Sequence, residues 1–274
     1  MANDGRVRAG IDVNVANAAR IYDYFLGGKD NFAVDRDAGD RVLAAAPEVR
    51  STLRANRSFL GRVVRHLAGE GGIDQFVDLG AGLPTQENVH QVAQGVNPNA
   101  RVVYVDHDPV VLAHGRALLA TDNTTTVIQA DLRTPDEVLN NPELRQLIDL
   151  SRPVAVFMMA VLHFVSTDAD AFVAGYHDAM APGSFLALSL GTTDGVDPQK
   201  IAKAQEIYST ASSQLTYRSR TQIEKLFDGF SLIEPGLVRL PEWRPISELQ
   251  ARAERVGAEW MLGGVGRLAG APRP

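Results

Sequence analysis

The segment Phe76-Val77-Asp78-Leu79-Gly80-Ala81-Gly82-Leu83-Pro84 constrains the fold more than any other part of the sequence. Its apolar residues predict a buried strand, and its two glycines predict a tight turn into a helix. Glycine adopts backbone angles that are closed to other residues and lets a ligand approach the main chain. Thr85 is a candidate N-cap for the following helix. A strand, a Gly-x-Gly turn and a helix N-terminus together predict a nucleotide-type pocket in an α/β fold.

The residues around this turn argue against a phosphate group as the main ligand. A dinucleotide fingerprint requires a third glycine where this sequence has Thr85, which disfavours a nicotinamide oxidoreductase. No Gly-Lys-Ser/Thr follows, so a P-loop is excluded. Asp78 would repel an anion and suits a cationic ligand, such as the ammonium group of an amino acid. An ordinary strand-to-helix turn without a ligand is the alternative.

The composition is that of a globular chain and excludes several classes of protein. The 274 residues are 45% apolar and 22% charged, with a net charge of -6 and no long basic run, so we expect no nucleic-acid partner. The absence of cysteine excludes disulfides and thiolate metal sites and fits a reducing cytoplasm. No apolar run is long enough for a membrane span and the N-terminus is not a signal peptide, so we expect a cytoplasmic protein without a membrane partner.

Apolar runs that alternate with helical patterns predict a mainly parallel, doubly wound sheet. Roughly the first 70 residues are helical, and we expect residues 1–72 to form a cap on a core of residues 73–270, in one compact domain. The predicted strands are 75–79, 101–106, 125–129, 153–159, 183–190, 230–235 and 259–268, the last of them antiparallel. The predicted helices are 16–26, 35–46, 49–68, 85–95, 109–119, 136–147, 167–180, 194–215 and 221–227, the last opened by a capping box from Thr221 to Glu224.

Acidic residues close three successive predicted strands, at Asp78, Asp106 and Asp131. In a doubly wound sheet, ligands bind at the carboxyl ends of the strands. Asp106 lies near the spacing at which an acidic residue accepts both ribose hydroxyls, and Asp131 could accept a hydrogen bond from an adenine amino group. His107 could flank the adenine. Chance is the alternative, since strand ends are commonly polar.

The fourth predicted strand ends before His163, which could act as a general base near neutral pH. A structural histidine, hydrogen-bonded near the ligand edge, is the alternative that we favour. The sequence lacks the Asn/Asp-Pro-Pro-Tyr motif that binds an exocyclic amine of a nucleic-acid base, which argues against such a base as the substrate. We expect no metal site, because Asp106, His107 and Asp108 are neighbours on an extended chain and point to opposite faces.

The N-terminal segment, residues 19–37, is dense in residues with functional chemistry. Tyr22, Gly28 and Asn31 could belong to a lid over one end of a bound cofactor. The alternative is a helix that packs Tyr22 on the core and ends at the glycines. Arg57 could bind a cofactor carboxylate, since arginine makes paired hydrogen bonds to carboxylates, or could lie on a solvated helix face.

Residues 19–37, 54–60, 78–85 and 104–109 together closely resemble the S-adenosyl methyltransferase family of bacterial proteins, and the resemblance extends from about residue 17 to residue 268. It implies the class I methyltransferase fold, a Rossmann-like sheet of seven strands with the last reversed, and it implies S-adenosylmethionine as cofactor. It implies no acceptor.

We therefore predict methyl transfer from S-adenosylmethionine to a small-molecule acceptor, with Tyr22 or His163 as the base if one is needed. A regulatory or sensing protein that binds the cofactor and transfers nothing is the alternative, and a monomer and a homodimer both stay open. The predicted cofactor-binding residues are Tyr22, Gly28, Asn31, Arg57, Asp78, Gly80, Ala81, Gly82, Asp106, His107, Asp131, Leu132 and Ala160.

Overall fold

A computed structural model describes residues 12–84, 87–118, 123–165 and 168–269 of the chain. The predicted N-cap Thr85 lies outside these residues. Within them, one sheet holds eight strands in the order β3-β2-β1-β4-β5-β8-β6, and β7 pairs with β8. The strands are β1 Gln75–Leu79, β2 Arg101–Asp106, β3 Thr125–Gln129, β4 Ala155–Met159, β5 Phe185–Gly191, β6 Phe230–Leu232, β7 Val238–Arg239 and β8 Met261–Leu268.

The first five strands run parallel to one another, and β8 runs antiparallel to β5, β6 and β7. The strand order reverses beside β1, which adjoins both β2 and β4. Ligands of open α/β sheets bind at such a switch point, outside the carboxyl ends of the strands. This Rossmann-like arrangement is the predicted fold class, with β7 as a two-residue addition to the seven predicted strands.

Helices flank the sheet, and three of them precede it in the chain. The described helices are α1 Ala18–Leu26, α2 Ala33–Ala45, α3 Val49–Ala68, α4 Val89–Val96, α5 Pro109–Leu118, α6 Pro135–Leu139, α7 Pro142–Leu147, α8 Ala169–Ala179, α9 Pro198–Tyr208, α10 Arg220–Lys225 and α11 Glu248–Ala253. The first three share a single hydrophobic core with the sheet, in which Ile21 and Phe59 belong to the same cluster as Phe76. The division at residue 72 stays a prediction.

Three predicted helices need correction. The segment 194–215 contains a helix of only eleven residues, Pro198–Tyr208, which is capped by Asp197. The segment 136–147 is two short helices, because Asn141 caps a new helix that begins with Pro142, and proline is favoured in a first turn but removes a backbone donor inside a helix. The capping box of α10 is formed by Ser219 and Gln222, so the assignment to Thr221 and Glu224 was two residues too late. None of these corrections moves a strand end that borders the site.

The helix α3 is the longest described helix, and it is amphipathic. Its twenty residues bury an apolar face that includes Phe59, Val63 and Leu67. Among the described residues, no helix combines the length and the apolar character that crossing a bilayer requires.

Candidate functional site

The turn after β1 is shaped by its two glycines. Gly80 has φ of 73°, and a side chain at this position would collide with Val161, so glycine is required both for conformation and for space. The backbone N–H of Gly80 donates to the carbonyl of Val105, which holds the turn against β2. Gly82 has φ of 65° and donates its N–H to the Asp106 carboxylate at 2.9 Å. The turn therefore presents main chain rather than side chains at the switch point.

Asp78 lies next to the last residue of β1 and is buried, with 6% of the residue exposed. Among the described residues it accepts no hydrogen bond. Burial raises the pKa of Asp78 to about 7, while nearby Arg57 lowers this pKa and nearby Asp106 raises it. A buried carboxylate that accepts no hydrogen bond from the described residues is stabilised by a cationic ligand.

Asp106 ends β2 and is also buried. One carboxylate oxygen accepts from the Gly82 N–H and the other from the Asp108 N–H, each at 2.9 Å. Burial raises the pKa of Asp106, and these two backbone donors lower it. Each oxygen has further lone-pair capacity for a ligand hydroxyl.

Asp131 follows β3 at the same edge of the sheet, and it is paired with Arg133. The Arg133 Nε lies 2.9 and 3.0 Å from the two carboxylate oxygens. These hydrogen bonds are the main reason why the pKa of Asp131 is lowered. The pairing with Arg133 was absent from the sequence prediction, although the two residues are only two positions apart. His107 is exposed beside Asp106, with its Nδ1 3.6 Å from the carboxylate.

Tyr22 and Asn56 form a hydrogen-bonded chain between α1 and the sheet. The Asn56 amide donates to the Tyr22 hydroxyl at 3.1 Å, and the Asn56 carbonyl oxygen accepts from the Ser189 hydroxyl at 2.6 Å. Burial raises the pKa of Tyr22, so the phenol is neutral. Asn56 was missed as a site residue, although a buried polar residue on the apolar face of α3 was the available signal. Arg57 donates to the Glu87 carbonyl at 3.0 Å.

These groups surround a cavity of about 360 Å³ at the carboxyl edge of β1, β2 and β3, within the size range of small-molecule sites. Eleven of the predicted cofactor-binding residues line it: Tyr22, Arg57, Asp78, Gly80, Ala81, Gly82, Asp106, His107, Asp131, Leu132 and Ala160. It is also lined by Asn17, Asn56, Asp108 and Arg133, which the sequence prediction omitted. Within the described ranges, no cluster of His, Asp and Glu could hold a metal ion.

His163 lies outside this cavity and lines a smaller one behind Tyr22 and Phe164. Its Nδ1 accepts from the Gly191 N–H at 3.3 Å, which assigns the proton of the neutral ring to Nε2. Burial, and then the charge of Arg218, lowers the pKa of His163 to about 3. A group with this pKa is a weak base at neutral pH, which favours the structural interpretation over the catalytic one.

Gly28 and Asn31 also lie outside the large cavity, because both pack around the buried carboxylate of Asp23. Asp23 accepts from the Asn31 amide at 2.8 Å and from the Asp30 N–H at 2.9 Å. A side chain at position 28 would collide with this carboxylate. The structure thus gives Gly28 and Asn31 a local structural role, and their predicted contact with a cofactor stays a prediction.

The comparisons with known proteins agree with this fold over nearly the whole chain. The S-adenosyl methyltransferase family matches residues 4–269. A crystal structure of a candidate methyltransferase from Thermobifida fusca YX is 43% identical with a TM-score of 0.89, covering 97% of this chain and 99% of that one. A DUF574 family protein from Streptomyces avermitilis MA-4680 is 40% identical with a TM-score of 0.89, covering 94% and 99%. A comparison with curated proteins finds no match.

The family match spans far more than half of the chain, and the two crystal structures share its length and its fold. The strand order, with the reversed strand β8 between β5 and β6, is that of the predicted Rossmann-like fold. The chain belongs to the S-adenosyl methyltransferase family.

Proposed function

We propose that the protein transfers the methyl group of S-adenosylmethionine to a small-molecule acceptor. The observation that carries this proposal is the buried carboxylate of Asp78, which faces the cavity and accepts no hydrogen bond from the described residues. An amino-acid ammonium group supplies a positive charge and hydrogen-bond donors, which Asp78 does not receive from the described residues. Its binding would keep Asp78 ionised, against the effect of burial on the pKa.

The remaining residues support an extended nucleoside beside that ammonium group. Asp106 would accept hydrogen bonds from two ribose hydroxyls, with its carboxylate held in place by the N–H groups of Gly82 and Asp108. Asp131, one strand further along the sheet, would accept from the adenine amino group while Arg133 fixes its orientation. The glycine turn leaves room for the ligand against the main chain.

S-Adenosylmethionine supplies an electrophilic methyl group on a positively charged sulfur, and this methyl passes to a nucleophilic atom of the acceptor while the electron pair of the broken bond stays on sulfur. The protein's part is to bind, to orient and to exclude water. Tyr22 is kept neutral by burial, accepts a hydrogen bond from Asn56 and lines both cavities. Its hydroxyl is the polar group best placed to orient an acceptor.

The alternative of a binding protein that transfers nothing predicts no closed acceptor cavity near the cofactor. The smaller cavity, which shares Tyr22 and Phe164 with the larger one, supports transfer instead.

The test is a calorimetric titration of the protein with S-adenosylmethionine, S-adenosylhomocysteine and NAD. We expect binding of the first two, no binding of NAD, and at least about tenfold weaker binding in Asp106→Ala, since a hydrogen bond to a charged group contributes about 1.5–3 kcal/mol. Asp149→Ala is the matched control, because Asp149 is exposed and its carboxylate, among the described residues, accepts hydrogen bonds from Ser151 alone. Absence of binding to the wild type would overturn the proposal.

A further inference from the structure

The start of α1 borders the large cavity, although it precedes every strand of the sheet in the chain. Asn17, Ala18, Ala19 and Tyr22 line the cavity. Asn17 is the N-cap of α1, and its Oδ1 accepts from the N–H groups of Ala19 at 2.9 Å and of Arg20 at 3.2 Å. The oxygen of the Asn17 side chain therefore holds the first turn of α1, which leaves the Nδ2 amide group for a second partner.

That second partner is Asp108, in the loop after β2. The Asn17 Nδ2 donates to the Asp108 Oδ2 at 2.8 Å. Asp108 is buried, with 8% of the residue exposed, and its Oδ1 accepts from the Val110 N–H in the first turn of α5 at 2.7 Å. Among the described residues, these two groups are the only hydrogen-bond donors to the Asp108 carboxylate. Loss of a donor to a buried, charged acceptor is costly, so this bond fixes α1 against the loop.

Asp108 is in turn bonded to the carboxylate that we assign to the ribose. Its backbone N–H donates to the Asp106 Oδ1 at 2.9 Å, while the Gly82 N–H donates to the other oxygen. The chain of hydrogen bonds thus runs from the Asn17 amide through Asp108 to Asp106. It joins the N-terminal helices to the nucleoside end of the site.

The residue before Asn17 is bonded to a different part of the cavity wall. The Ser212 N–H donates to the Ala16 carbonyl at 2.8 Å, and Ser212 lines the cavity from the loop after α9. The entry to α1 is therefore bonded both to the loop after β2 and to the loop after α9.

We propose that Asn17 is a positioning residue for the cofactor, which holds the first turn of α1 against the ribose end of the site and, through Asp108, orients Asp106. This inference rests on the proposed function. Without the Asn17–Asp108 bond, α1 loses its side-chain contact with the loop after β2, and the Asp108 carboxylate keeps one donor. Groups that are fixed before a ligand arrives bind it more tightly, because less conformational freedom is lost on binding.

The test reverses the direction of the bond while both helix caps are kept, since Asn and Asp are equally good N-caps. Asn17→Asp places a carboxylate against the Asp108 carboxylate. Asp108→Asn places an amide group against the Asn17 amide group, because its oxygen stays with Val110. The double variant restores the bond with donor and acceptor exchanged. By calorimetry, we expect S-adenosylhomocysteine to bind at least about tenfold more weakly to each single variant and within about threefold of wild type to the double variant.

A second ligand separates positioning of Asp106 from a general loss of structure. Wild type should bind the 2′-deoxy analogue of S-adenosylhomocysteine at least about tenfold more weakly than S-adenosylhomocysteine itself, because a site built to bond a hydroxyl rejects a ligand that lacks it. In the single variants we expect this preference to fall to about threefold or less. Asn17→Ser, which keeps a cap but lacks the amide donor, is the milder variant should Asn17→Asp fail to fold, and it should lower the preference in the same direction.

The matched control is Asn141→Asp, the same change at the N-cap of α7, where the side chain accepts from the N–H groups of Glu143 and Leu144 outside the cavity. It should bind both ligands within twofold of wild type. A lower unfolding temperature of the single variants with unchanged Kd values, an unchanged ribose preference, or a double variant as weak as the single ones would overturn the role of Asn17 alone. Absence of S-adenosylhomocysteine binding to the wild type would overturn the proposed function and this inference with it.

Discussion

Two pairs of buried carboxylates in this protein have nearly the same exposure and opposite surroundings. Asp35 and Asp23, in the N-terminal segment, are 0% and 4% exposed, and Asp78 and Asp106, at the strand ends, are 6% and 8% exposed. Asp35 accepts from the Arg20 guanidinium at 2.7 Å and from two backbone N–H groups, whereas Asp78 accepts from no described residue. Burial alone therefore does not identify a binding group. Asp106 accepts from two backbone N–H groups, as Asp35 does, so what the strand-end pair shares is the cavity that it lines.

The comparison also separates the N-terminal segment from the strand ends, although both are rich in polar residues in the sequence. The N-terminal carboxylates hold α1, the following loop and α2 together. The strand-end carboxylates face a cavity. We propose that the first pair stabilises the fold and that the second binds the cofactor.

The largest effect is expected from Asp35→Asn. This change leaves the buried Arg20 charge without its partner, so we expect a loss of about 3–5 kcal/mol in the free energy of unfolding. Asp37→Asn, on the same helix and 74% exposed in its side chain, should change it by less than about 0.5 kcal/mol. Urea unfolding of both variants measures this. Equal midpoints for the two variants would show that the Arg20–Asp35 pair does not hold the segment.

Asp78→Asn should raise the free energy of unfolding of the ligand-free protein, whereas Asp35→Asn lowers it. The folded-state pKa of about 7 is above the unfolded-state value, so the unfolded state releases its proton first and ionisation of Asp78 destabilises the fold as the pH rises. The free energy of unfolding of the variant should rise relative to that of wild type from about pH 4 to pH 7 and then level off. The total difference should be a few kcal/mol, at about 1.4 kcal/mol for each unit by which the two pKa values differ. Thermal unfolding from pH 4 to pH 8 measures this, and a difference independent of pH would contradict it.

Gly28→Ala sharpens the comparison at a position that the sequence assigned to the cofactor. The added methyl group would meet the Asp23 carboxylate, so we expect a loss of about 1–3 kcal/mol in stability. Gly27→Ala, with no atom within 4 Å of the added carbon but φ of 83°, should cost about 1–2 kcal/mol through backbone strain alone. Both folded variants should bind S-adenosylmethionine like wild type. A tenfold change in its Kd in Gly28→Ala alone would return Gly28 to the cofactor site.

The smallest effect is expected from Asn31→Ala, which removes amide hydrogen bonds to Asp23 and to the Gly28 carbonyl. We expect a loss of about 1 kcal/mol in stability and an unchanged Kd for S-adenosylmethionine, because the side chain lies outside the cavity. Urea unfolding and calorimetry measure the two quantities. A weaker Kd without a change in stability would contradict the structural role.

The sequence was sufficient for the sheet and for the polar strand ends. The bounds of β1, β2 and β3 agree with the predictions because buried parallel strands are short apolar runs with clear ends. The strand β7 has two residues and therefore no pattern to detect. The break between α6 and α7 was missed although Pro142 marked it.

The sequence identified residues of the candidate site only where a single local pattern marks them. Asp78 and Asp106 follow from their places at strand ends, whereas the structural use of Gly28 and Asn31 depends on the burial of Asp23, which the spacing of residues does not show. The smaller cavity brings together Phe25, His163, Ala204, Tyr217 and Trp260, which are far apart in the chain. No local motif predicts such a cavity.

The measurement that tests the central claim most directly is the Kd of S-adenosylmethionine for Asp78→Asn against wild type at pH 8, by calorimetry. The account predicts binding weaker by about 100-fold, since removing one partner of a buried charge pair costs about 2–5 kcal/mol, in a variant that unfolds at a higher temperature than wild type. Equal Kd values for the two proteins would contradict the assignment of Asp78 as the group that binds the cationic end of the cofactor.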